Sequence, residues 1–279
     1  MTPLFIPSPA VSVWHLGPIP IRAYALCILA GIALAWYLIR RRWARLAGDT
    51  EKLENVLLGT VVCGIIGARL YYVLVEYPEL FFGRRGTWYH MFYVWQGGLG
   101  IWGGLAVGAL AAYLLCRHYN FRFSVLADCL APAVPLAQAL GRVGNYFNQE
   151  LYGLPTDLPW GLEIDAAHRV AGYASFATFH PTFLYEALFN IALAAFLVVV
   201  VERRWQWGRG KLFATWIVGY AIGRFCLEFV RIDPAKEFLG LRIHAWASLV
   251  LGLAALIVLL RLRVTRPGPN YPDAAARTW

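Results

Sequence analysis

Apolar residues fall in seven long runs separated by short polar segments. The runs are Ile21–Ile39, Leu57–Val75, Gly98–Cys116, Val125–Leu140, Phe183–Val201, Leu212–Val230 and Ala245–Leu260. Most approach the roughly 20 residues that a helix needs to cross the hydrocarbon core of a bilayer. The fourth is short: either its helix is tilted, or the chain continues as non-helical backbone buried in protein. The pattern predicts an all-α integral membrane protein with seven transmembrane helices.

Composition agrees with this class. Hydrophobic residues make up 59% of the chain and charged residues 15%, and the mean hydropathy is +0.54. A soluble domain carries about a quarter charged residues. We therefore expect residues 1–266 to form a single seven-span membrane domain and residues 267–279 to form a cytoplasmic polar tail.

Basic residues are concentrated in alternate connections. Those after the first, third, fifth and seventh runs carry Arg40, Arg41, Arg42, Arg45, Lys52, Arg117, Arg122, Arg203, Arg204, Arg209, Lys211, Arg261, Arg263, Arg266 and Arg277. The opposite loops hold most of the acidic residues. The positive-inside rule then predicts an amino terminus outside and a carboxyl terminus in the cytoplasm. This bias accounts for the net charge of +9, so no nucleic-acid partner is indicated.

The most unusual polar stretch follows the fourth run. Residues 141–153 read Gly-Arg-Val-Gly-Asn-Tyr-Phe-Asn-Gln-Glu-Leu-Tyr-Gly and combine the cation Arg142, the amides Asn145 and Asn148, and the carboxylate Glu150. Charge beside an apolar segment of a membrane protein is costly and marks a candidate functional site. The stretch opens the longest connection, residues 141–182, predicted to be an extracytoplasmic loop or cap.

Two more polar clusters are predicted at the same membrane face. Tyr220, Arg224, Glu228 and Arg231 are spaced by 4, 4 and 3 residues, which places them on one face of a helix. Further candidates for the same centre, at the start of the fifth run or on the second and first runs, are His180, Tyr185, Glu186, Arg69 and Tyr24.

The cations inside apolar runs have two interpretations. Each unpaired cation, such as Arg69 or Arg224, costs about 2.5–3.5 kcal/mol on insertion scales. Glu228 and Glu150 are internal counter-charges, in which case buried ion pairs hold the helices together. Alternatively, surplus guanidinium groups bind phosphate, whose oxygens they pair two at a time. The residues alone therefore indicate a phospholipid-binding membrane enzyme or a phospholipid or organic-anion transporter, although no clear transporter repeat is present.

Two other patterns have structural explanations. Gly98, Gly100 and Gly103 fit G-x-G-x-x-G, but they open an apolar run and follow no soluble strand, so a dinucleotide site is not indicated. Gly104 and Gly108 form a GxxxG pair, and close helix packing explains the whole glycine run. The cysteines, which lack metal-ligand spacing, read as small buried hydrophobic residues; they are Cys27, Cys63, Cys116, Cys129 and Cys226.

Residues 141–153 resemble the signature of the bacterial phosphatidylglycerol–prolipoprotein diacylglyceryl transferase family, G-R-x-G-N-F-x-N-x-E-x-x-G. Tyr146 stands where Phe is usual, and Asp128 lies ahead of the signature as the family expects. Three other segments are similar to family elements: 180–186 to H-P-[ST]-x-L-Y-E, 220–231 to Y-x-x-x-R-F-x-x-E-F-x-R, and 95–99 to Trp-x-Gly-Gly. The resemblance covers residues 16–260.

This resemblance implies an enzyme that moves the diacylglyceryl group of phosphatidylglycerol to the lipobox cysteine of a preprolipoprotein. The products would be a thioether and glycerol 1-phosphate, in the first step of lipoprotein maturation. No metal or organic cofactor is implied. The partners would be phosphatidylglycerol, the surrounding membrane lipid and the lipobox-bearing signal peptide. The expected location is the bacterial cytoplasmic (inner) membrane, with the active site toward the outer leaflet.

The resemblance also suggests roles for individual residues. Arg142 and Arg224 would bind the phosphodiester, since negative charge gathers on the leaving group. Asn145 and Asn148 would orient headgroup oxygens, and Glu228 would orient Arg224. The remaining residues of the predicted catalytic and substrate-binding set are Tyr24, Tyr220, Arg69, Gly153, Glu150 and His180.

The proton acceptor is left open. Many relatives place a histidine, considered a catalytic base, five residues after the first glycine of the Trp-x-Gly-Gly segment, where this chain has Trp102. Glu150 and His180 are alternatives, although His180 also reads as a loop residue at the start of the fifth span. A third possibility is that nearby arginines lower the pKa of the substrate thiol, ordinarily about 8.5.

Overall fold

The computed structural model describes residues 5–17, 19–83, 86–94, 97–205 and 208–262. Helices account for most of this part of the chain. They are α1 (Ala23–Arg45), α2 (Thr50–Tyr71), α3 (Pro78–Phe82), α4 (Ile101–His118), α5 (Phe123–Asn148), α6 (Thr182–Phe196), α7 (Lys211–Glu228) and α8 (Ile243–Arg261). π-helical segments, Tyr72–Glu76 and Leu197–Arg204, extend α2 and α6.

Short strands accompany the helices, so the all-α description is too simple. The strands are β1 (Val13–Leu16), β2 (Ile19–Arg22), β3 (Leu162–Glu163), β4 (Thr178–Phe179), β5 (Glu237–Phe238) and β6 (Leu241–Arg242). They pair as three two-stranded antiparallel sheets, β1–β2, β3–β4 and β5–β6. The first sheet leads directly into α1 and the third directly into α8.

Six helices in the described ranges are long and apolar enough to cross a membrane. They are α1, extended α2, α4, α5, extended α6 and α8. These confirm six of the predicted spans at that level. The remaining run also forms a helix, α7, but it carries Lys211, Arg224 and Glu228 within 18 residues. That charge content sets α7 apart, and its assignment as a seventh span stays a prediction.

The fourth apolar run continues as helix beyond its apolar residues, which contradicts the second of the two alternatives; the tilt stays a prediction. α5 is 26 residues long, includes Pro132 and Pro135, and continues without interruption to Asn148. Non-helical backbone after Leu140 was the wrong expectation, because residues 141–148 form the last two turns of the helix. The connection predicted to begin at residue 141 therefore begins at Gln149. Helix continues because polar side chains on these turns find partners, as described below.

The described residues form two compact units, whose boundaries fall within α1 and α5. One comprises the described parts of Met1–Ile39 and Ala127–Pro267, and the other Arg40–Leu126. In the second unit α2 and α4 pack through glycines. A Cβ added at Gly103 would lie 2.3 Å from the carbonyl oxygen of Gly67, and one at Gly108 would lie 3.6 Å from the Cα of Gly64. The prediction of close helix packing for this glycine run is confirmed.

In the first unit, α5 and α7 are joined where α7 begins. The Asp128 carboxylate on α5 accepts hydrogen bonds from the backbone N–H groups of Gly210 (2.8 Å) and Phe213 (3.1 Å). A carboxylate at a helix amino terminus satisfies otherwise unpaired N–H groups and complements the helix dipole. Nearby, an apolar core joins α5, α6 and α7; its buried members are Ala131, Leu193, Leu197, Val201 and Leu212.

Residues 149–181 fold into a small cap, which answers a question the sequence left open. The cap contains β3 and β4 and has its own buried core, formed by Tyr152, Leu162, Ile164 and Phe179. The amino-terminal segment joins its sheet: Ile6 N–H donates to the Gly161 carbonyl, and Glu163 N–H donates to the Ile6 carbonyl, both at 2.9 Å. The cap is therefore completed by the amino-terminal segment of the same unit.

We expect Asp128→Ala to lower the stability of the protein by about 1–2 kcal/mol, because the first turn of α7 loses its capping carboxylate. The measurement is the thermal unfolding midpoint of purified protein in detergent. Asp128→Asn keeps one acceptor oxygen and should lose less. An unchanged midpoint for Asp128→Ala would contradict the capping role.

Candidate active site

Polar side chains in the first unit form one continuous series of contacts at four helix ends: the carboxyl ends of α5 and α7 and the amino ends of α6 and α8. We call this series the ion-pair chain. Its members, in order of contact, are Asn148, Glu150, Asn145, Arg142, Glu186, Arg231, Asp233, Arg242, Glu228 and Arg224.

The end of α5 supplies the first part of the ion-pair chain. Arg142 Nη1 donates to Asn145 Oδ1 (3.1 Å), three residues along the same helix. The side-chain amides of Asn145 and Asn148 both donate to Glu150 Oε1, at 2.7 and 3.0 Å. Glu150 is exposed, so two amides orient a carboxylate that remains open to a ligand. The predicted cluster of Arg142, Asn145, Asn148 and Glu150 is thus brought together.

Glu186 links α5 to the segment after α7. Its carboxylate lies 2.6 Å from Arg142 Nε and 3.6 Å from Arg231 Nη1, and the residue is 3% exposed. The sequence analysis placed Glu186 near the centre but gave it no role, and it named Glu150 as a counter-charge. The available signal was that Glu186 is the one carboxylate inside the fifth apolar run, where an acid needs a cationic partner.

The far end of the ion-pair chain is built around Glu228 and Asp233. Glu228 pairs with Arg224 at 2.5 Å, as its i, i+4 spacing predicted, and with Arg242 at 3.2 Å. Asp233 pairs with Arg231 at 2.7 Å and with Arg242 at 3.0 Å. Sequence reasoning missed Arg242 and gave Asp233 no site role, because their contacts depend on how β6 and the segment after α7 meet.

The four arginines differ in how their charge is used. Arg231 and Arg242 each contact two carboxylates, and Arg242 also donates to the backbone carbonyls of Arg231 and Asp233. Arg142 and Arg224 each contact one carboxylate. The side chain of Arg142 is also the most exposed of the four, at 22%. The two predicted phosphate ligands are therefore the two of these four arginines that have a single carboxylate partner.

Nearby charges and a mutual hydrogen bond keep both Arg231 and Asp233 ionised. Burial alone would raise the pKa of Asp233, but the Arg231 hydrogen bond and the charges of Arg231 and Arg242 hold that pKa below its ordinary value. Burial alone would lower the pKa of Arg231, but the Asp233 hydrogen bond and the charges of Asp233, Glu186 and Glu228 together raise that pKa above its ordinary value. Both groups are consequently ionised at neutral pH.

Tyr24 and Tyr220 lie in different surroundings. The Tyr24 ring packs against α5, where a Cβ added at Gly144 would lie 2.8 Å from Tyr24 Cδ2. Tyr24 is therefore beside the predicted centre. Tyr220, one turn before Arg224, packs on the apolar core with Trp216, and the two ring centroids are 6.3 Å apart. The predicted role of Tyr220 in substrate binding stays a prediction.

His180 and Gly153 connect the cap to α6 and to the end of α7. His180 Nδ1 is 3.1 Å from the hydroxyl of Tyr185, which favours the interpretation of His180 as a loop residue bonded locally. A Cβ added at Gly153 would lie 2.8 Å from Val230 Cγ1 and 2.9 Å from His180 Cβ. Only glycine fits here, so Gly153 permits close packing; a direct contact with substrate stays a prediction.

Arg69 lies in the second unit, where backbone carbonyls offset its charge. Its guanidinium donates to His90, Met91, Gly97 and Gly98 at 2.6–2.9 Å. The expectation of an anionic partner was wrong for the contacts described, because four carbonyl dipoles serve instead. Arg69 orders the segment that precedes α4.

The same segment includes part of the Trp-x-Gly-Gly motif. Gly97 and Gly98 have φ of 88° and 76°, a left-handed conformation that favours glycine. Trp95 and Gln96 lie outside the described residues. Trp102, at the start of α4, belongs to this unit and is 38% exposed.

The backbone around Glu150 is unusual. Gln149 and Leu151 have φ of 51° and 59°, so a left-handed residue that is not glycine lies on each side of the carboxylate. Such conformations cost about 1–3 kcal/mol each and persist only where surrounding contacts impose them. At Gln149 those contacts include the backbone bonds that end α5, because the Gln149 and Glu150 N–H groups donate to the Tyr146 and Asn145 carbonyls in a left-handed C-cap.

Membrane-length helices with alternating guanidinium and carboxylate groups at their ends define a multi-pass membrane protein with a largely buried polar site. The chain belongs to the prolipoprotein diacylglyceryl transferase family, whose family model matches residues 11–261. Membership confirms the resemblance found in the sequence.

Individual relatives match over nearly the whole chain. A phosphatidylglycerol–prolipoprotein diacylglyceryl transferase of Cutibacterium acnes is 49% identical over 260 residues, covering 93% of this chain and 87% of that protein. Phosphatidylglycerol–prolipoprotein diacylglyceryl transferase 2 of Streptomyces coelicolor is 48% identical over 264 residues, covering 95% of this chain and 83% of that protein. The Bifidobacterium adolescentis protein of the same name is 45% identical, with 94% and 82% covered.

We expect Glu186→Gln to lower the free energy of unfolding by about 3–5 kcal/mol, because removing one partner leaves buried cations uncompensated. Unfolding in detergent is the measurement. Glu150→Gln is the matched control, since this exposed residue keeps an acceptor for both amides. Equal stabilities of the two variants would contradict the linking role of Glu186.

Asp233 should also make stability depend on pH. Because its folded pKa is lowered, its contribution is complete above the unfolded pKa of about 3.9 and is lost as pH falls through the folded pKa. The stability difference between the wild type and Asp233→Asn should therefore shrink in acid, where the wild-type carboxyl is protonated too. Unfolding midpoints across a pH series test this, and a difference independent of pH would refute it.

Proposed function

We propose that this chain transfers the diacylglyceryl group of phosphatidylglycerol to the lipobox cysteine thiol of preprolipoproteins, forming a thioether and releasing glycerol 1-phosphate. The observation that carries the proposal is family membership together with relatives, alike over most of their length, whose names state a phosphatidylglycerol–prolipoprotein transferase. The geometry of the ion-pair chain suits the same reaction. No observation favours a transporter.

The proposed topology has seven spans, with α7 as the sixth in order. The amino terminus is outside, the carboxyl tail is cytoplasmic, and the site faces the outer leaflet of the inner membrane. The alternation of basic connections supports this orientation. Residues 1–266 are proposed as one membrane domain; the tail at 267–279 lies outside the described residues.

Arg142 and Arg224 are proposed to bind the phosphodiester. Each lies at one side of the ion-pair chain with a single carboxylate partner. Glu186 and Glu228, the partners of Arg142 and Arg224, also pair with Arg231 and Arg242. Neither Arg142 nor Arg224 is therefore fully neutralised. A guanidinium with unused donors pairs well with phosphate oxygens.

Glu150 is the proposed proton acceptor. Glu150 is exposed, and its Oε1 accepts hydrogen bonds from the side-chain amides of Asn145 and Asn148. Asn145 in turn accepts a hydrogen bond from Arg142 and so links Glu150 to that cation. The substrate thiol would give its proton to Glu150, and the sulfur would attack the glyceryl carbon that bears the phosphate. As the C–S bond forms, the C–O bond breaks and its electron pair leaves with glycerol 1-phosphate. Arg142 and Arg224 would stabilise that growing negative charge.

Purified protein, phosphatidylglycerol and a lipobox peptide should yield the thioether peptide and glycerol 1-phosphate. We expect Arg142→Ala and Arg224→Ala each to lower kcat/KM by about 100-fold or more, because each removes a group aimed at the developing charge. Mass spectrometry of the peptide and assay of the released phosphate ester measure both products.

Arg40→Ala is the control, since Arg40 forms an exposed ion pair with Glu54 and should retain full activity. Absence of product with folded wild-type protein would refute the function. Near-normal activity of Arg142→Ala would instead refute only its phosphate role.

A further inference from the structure

Gln149, the residue before Glu150, is fixed to the cap by both ends of its side-chain amide. Its Nε2 donates to Asp165 Oδ2 at 2.6 Å, and its Oε1 accepts from the Asp165 backbone N–H at 2.8 Å. The side chain is buried, at 6% exposure for the residue. Because one residue satisfies both its donor and its acceptor, Gln149 has little freedom to rotate.

The amino-terminal segment reinforces the same point of the cap. Ser8 Oγ donates to Asp165 Oδ1 at 2.9 Å, and the Pro7 carbonyl accepts from the Tyr146 hydroxyl on α5 at 2.9 Å. The preceding residue, Ile6, is bonded into the cap sheet. Three consecutive residues thus tie the amino-terminal segment to the cap and to α5.

The residue after Glu150 is fixed as well. The Leu151 carbonyl accepts a hydrogen bond from the hydroxyl of the fully buried Thr182. Glu150 therefore lies between two left-handed residues, Gln149 and Leu151, each held by a contact to another element. The left-handed turn at Gln149 is the C-cap of α5, in which the Gln149 and Glu150 N–H groups donate to the Tyr146 and Asn145 carbonyls. The side-chain contacts of Gln149 fix this turn, and with it the start of the Glu150 segment, to Asp165.

We propose that Gln149, Asp165 and Ser8, together called the clamp, are positioning residues that hold Glu150 where it takes the proton of the substrate thiol. The proposal rests on the proposed function and on the role of Glu150 in it. It gives Ser8, Gln149 and Asp165 a part in catalysis, although the proposal assigns none of them a contact with substrate. The hydrogen bonds from Gln149 and Ser8 lower the pKa of Asp165, which keeps this acceptor ionised.

The test separates kcat from KM. Asp165→Ala and Gln149→Ala should each lower kcat by about tenfold or more, since small displacements of a reacting group are costly. The KM for phosphatidylglycerol should change by less than about threefold, because Arg142 and Arg224 keep their places. Asp165→Asn retains an acceptor for Gln149 and should recover most of the rate. Asp157→Ala, which removes an exposed cap carboxylate, is the matched control.

A double variant tests whether the clamp acts as a unit. Gln149→Ala/Asp165→Ala should be no slower than the slower single variant, because both changes break one linkage. Hydrogen exchange of residues 145–153 gives a readout that does not need turnover. It should be faster in Asp165→Ala and close to wild type in Asp165→Asn.

Failure of the clamp and failure of the function are distinguishable. Wild-type protein that makes no thioether refutes the proposed function, while exchange still tests whether the clamp fixes the segment. An active wild type with an unchanged kcat in Asp165→Ala overturns the clamp. The clamp is also overturned if Asp165→Ala lowers only the unfolding midpoint, or if its exchange is unchanged.

Discussion

Glu186, one buried carboxylate shared by two arginines, is the interaction on which the site depends. Arg142 comes from α5 and Arg231 from the segment after α7. Burying either guanidinium beside apolar helices without a counter-charge would strongly destabilise the protein. Glu186 supplies that charge to both while lying in the first turns of α6. The contact therefore sets how three elements meet and also where Arg142 points.

Sharing resolves the two interpretations that the sequence left open. Buried ion pairs and a phosphate site were alternatives on the assumption that a paired arginine is neutralised. In the ion-pair chain each of Glu186, Asp233 and Glu228 serves two cations. Arg142 and Arg224 are therefore held in place by structural ion pairs in which each carboxylate is shared with a second arginine. The phosphate role proposed for both residues is compatible with that pairing.

Sequence reasoning succeeded where the cause was local. Hydropathy located the spans, and the i, i+4 spacing of Arg224 and Glu228 identified their contact. The sequence-based prediction was wrong at the end of α5, because hydropathy detects apolar residues and does not detect a helix that continues through polar ones. Arg142 and Asn145 extend that helix by bonding to each other and to residues that the chain supplies later.

The remaining contacts of the site were beyond the sequence for a related reason. The link from Asp233 to Arg242 depends on the β5–β6 sheet, which has two residues per strand and leaves almost no periodic signal. The partners of Arg69 are backbone carbonyls. Every residue has such a carbonyl, so the residue types in the sequence could not identify these partners. Family resemblance identified most of the residues of the centre, but not which of them touch.

The charge on α7 has a consequence for how the protein is made. Charged residues oppose insertion most strongly near the middle of a span. In α7, proposed as a span, Lys211 and Glu228 are the first and last residues and Arg224 lies one turn before the end. Asp128, which caps its first turn, and Glu186 both precede it in the chain. During synthesis, the helices that accommodate α7 are therefore already available when it leaves the ribosome. The order of the chain matters for biogenesis, since a rearrangement that placed α7 before α5 would present the first turn of α7 before the Asp128 carboxylate that caps it had been synthesised.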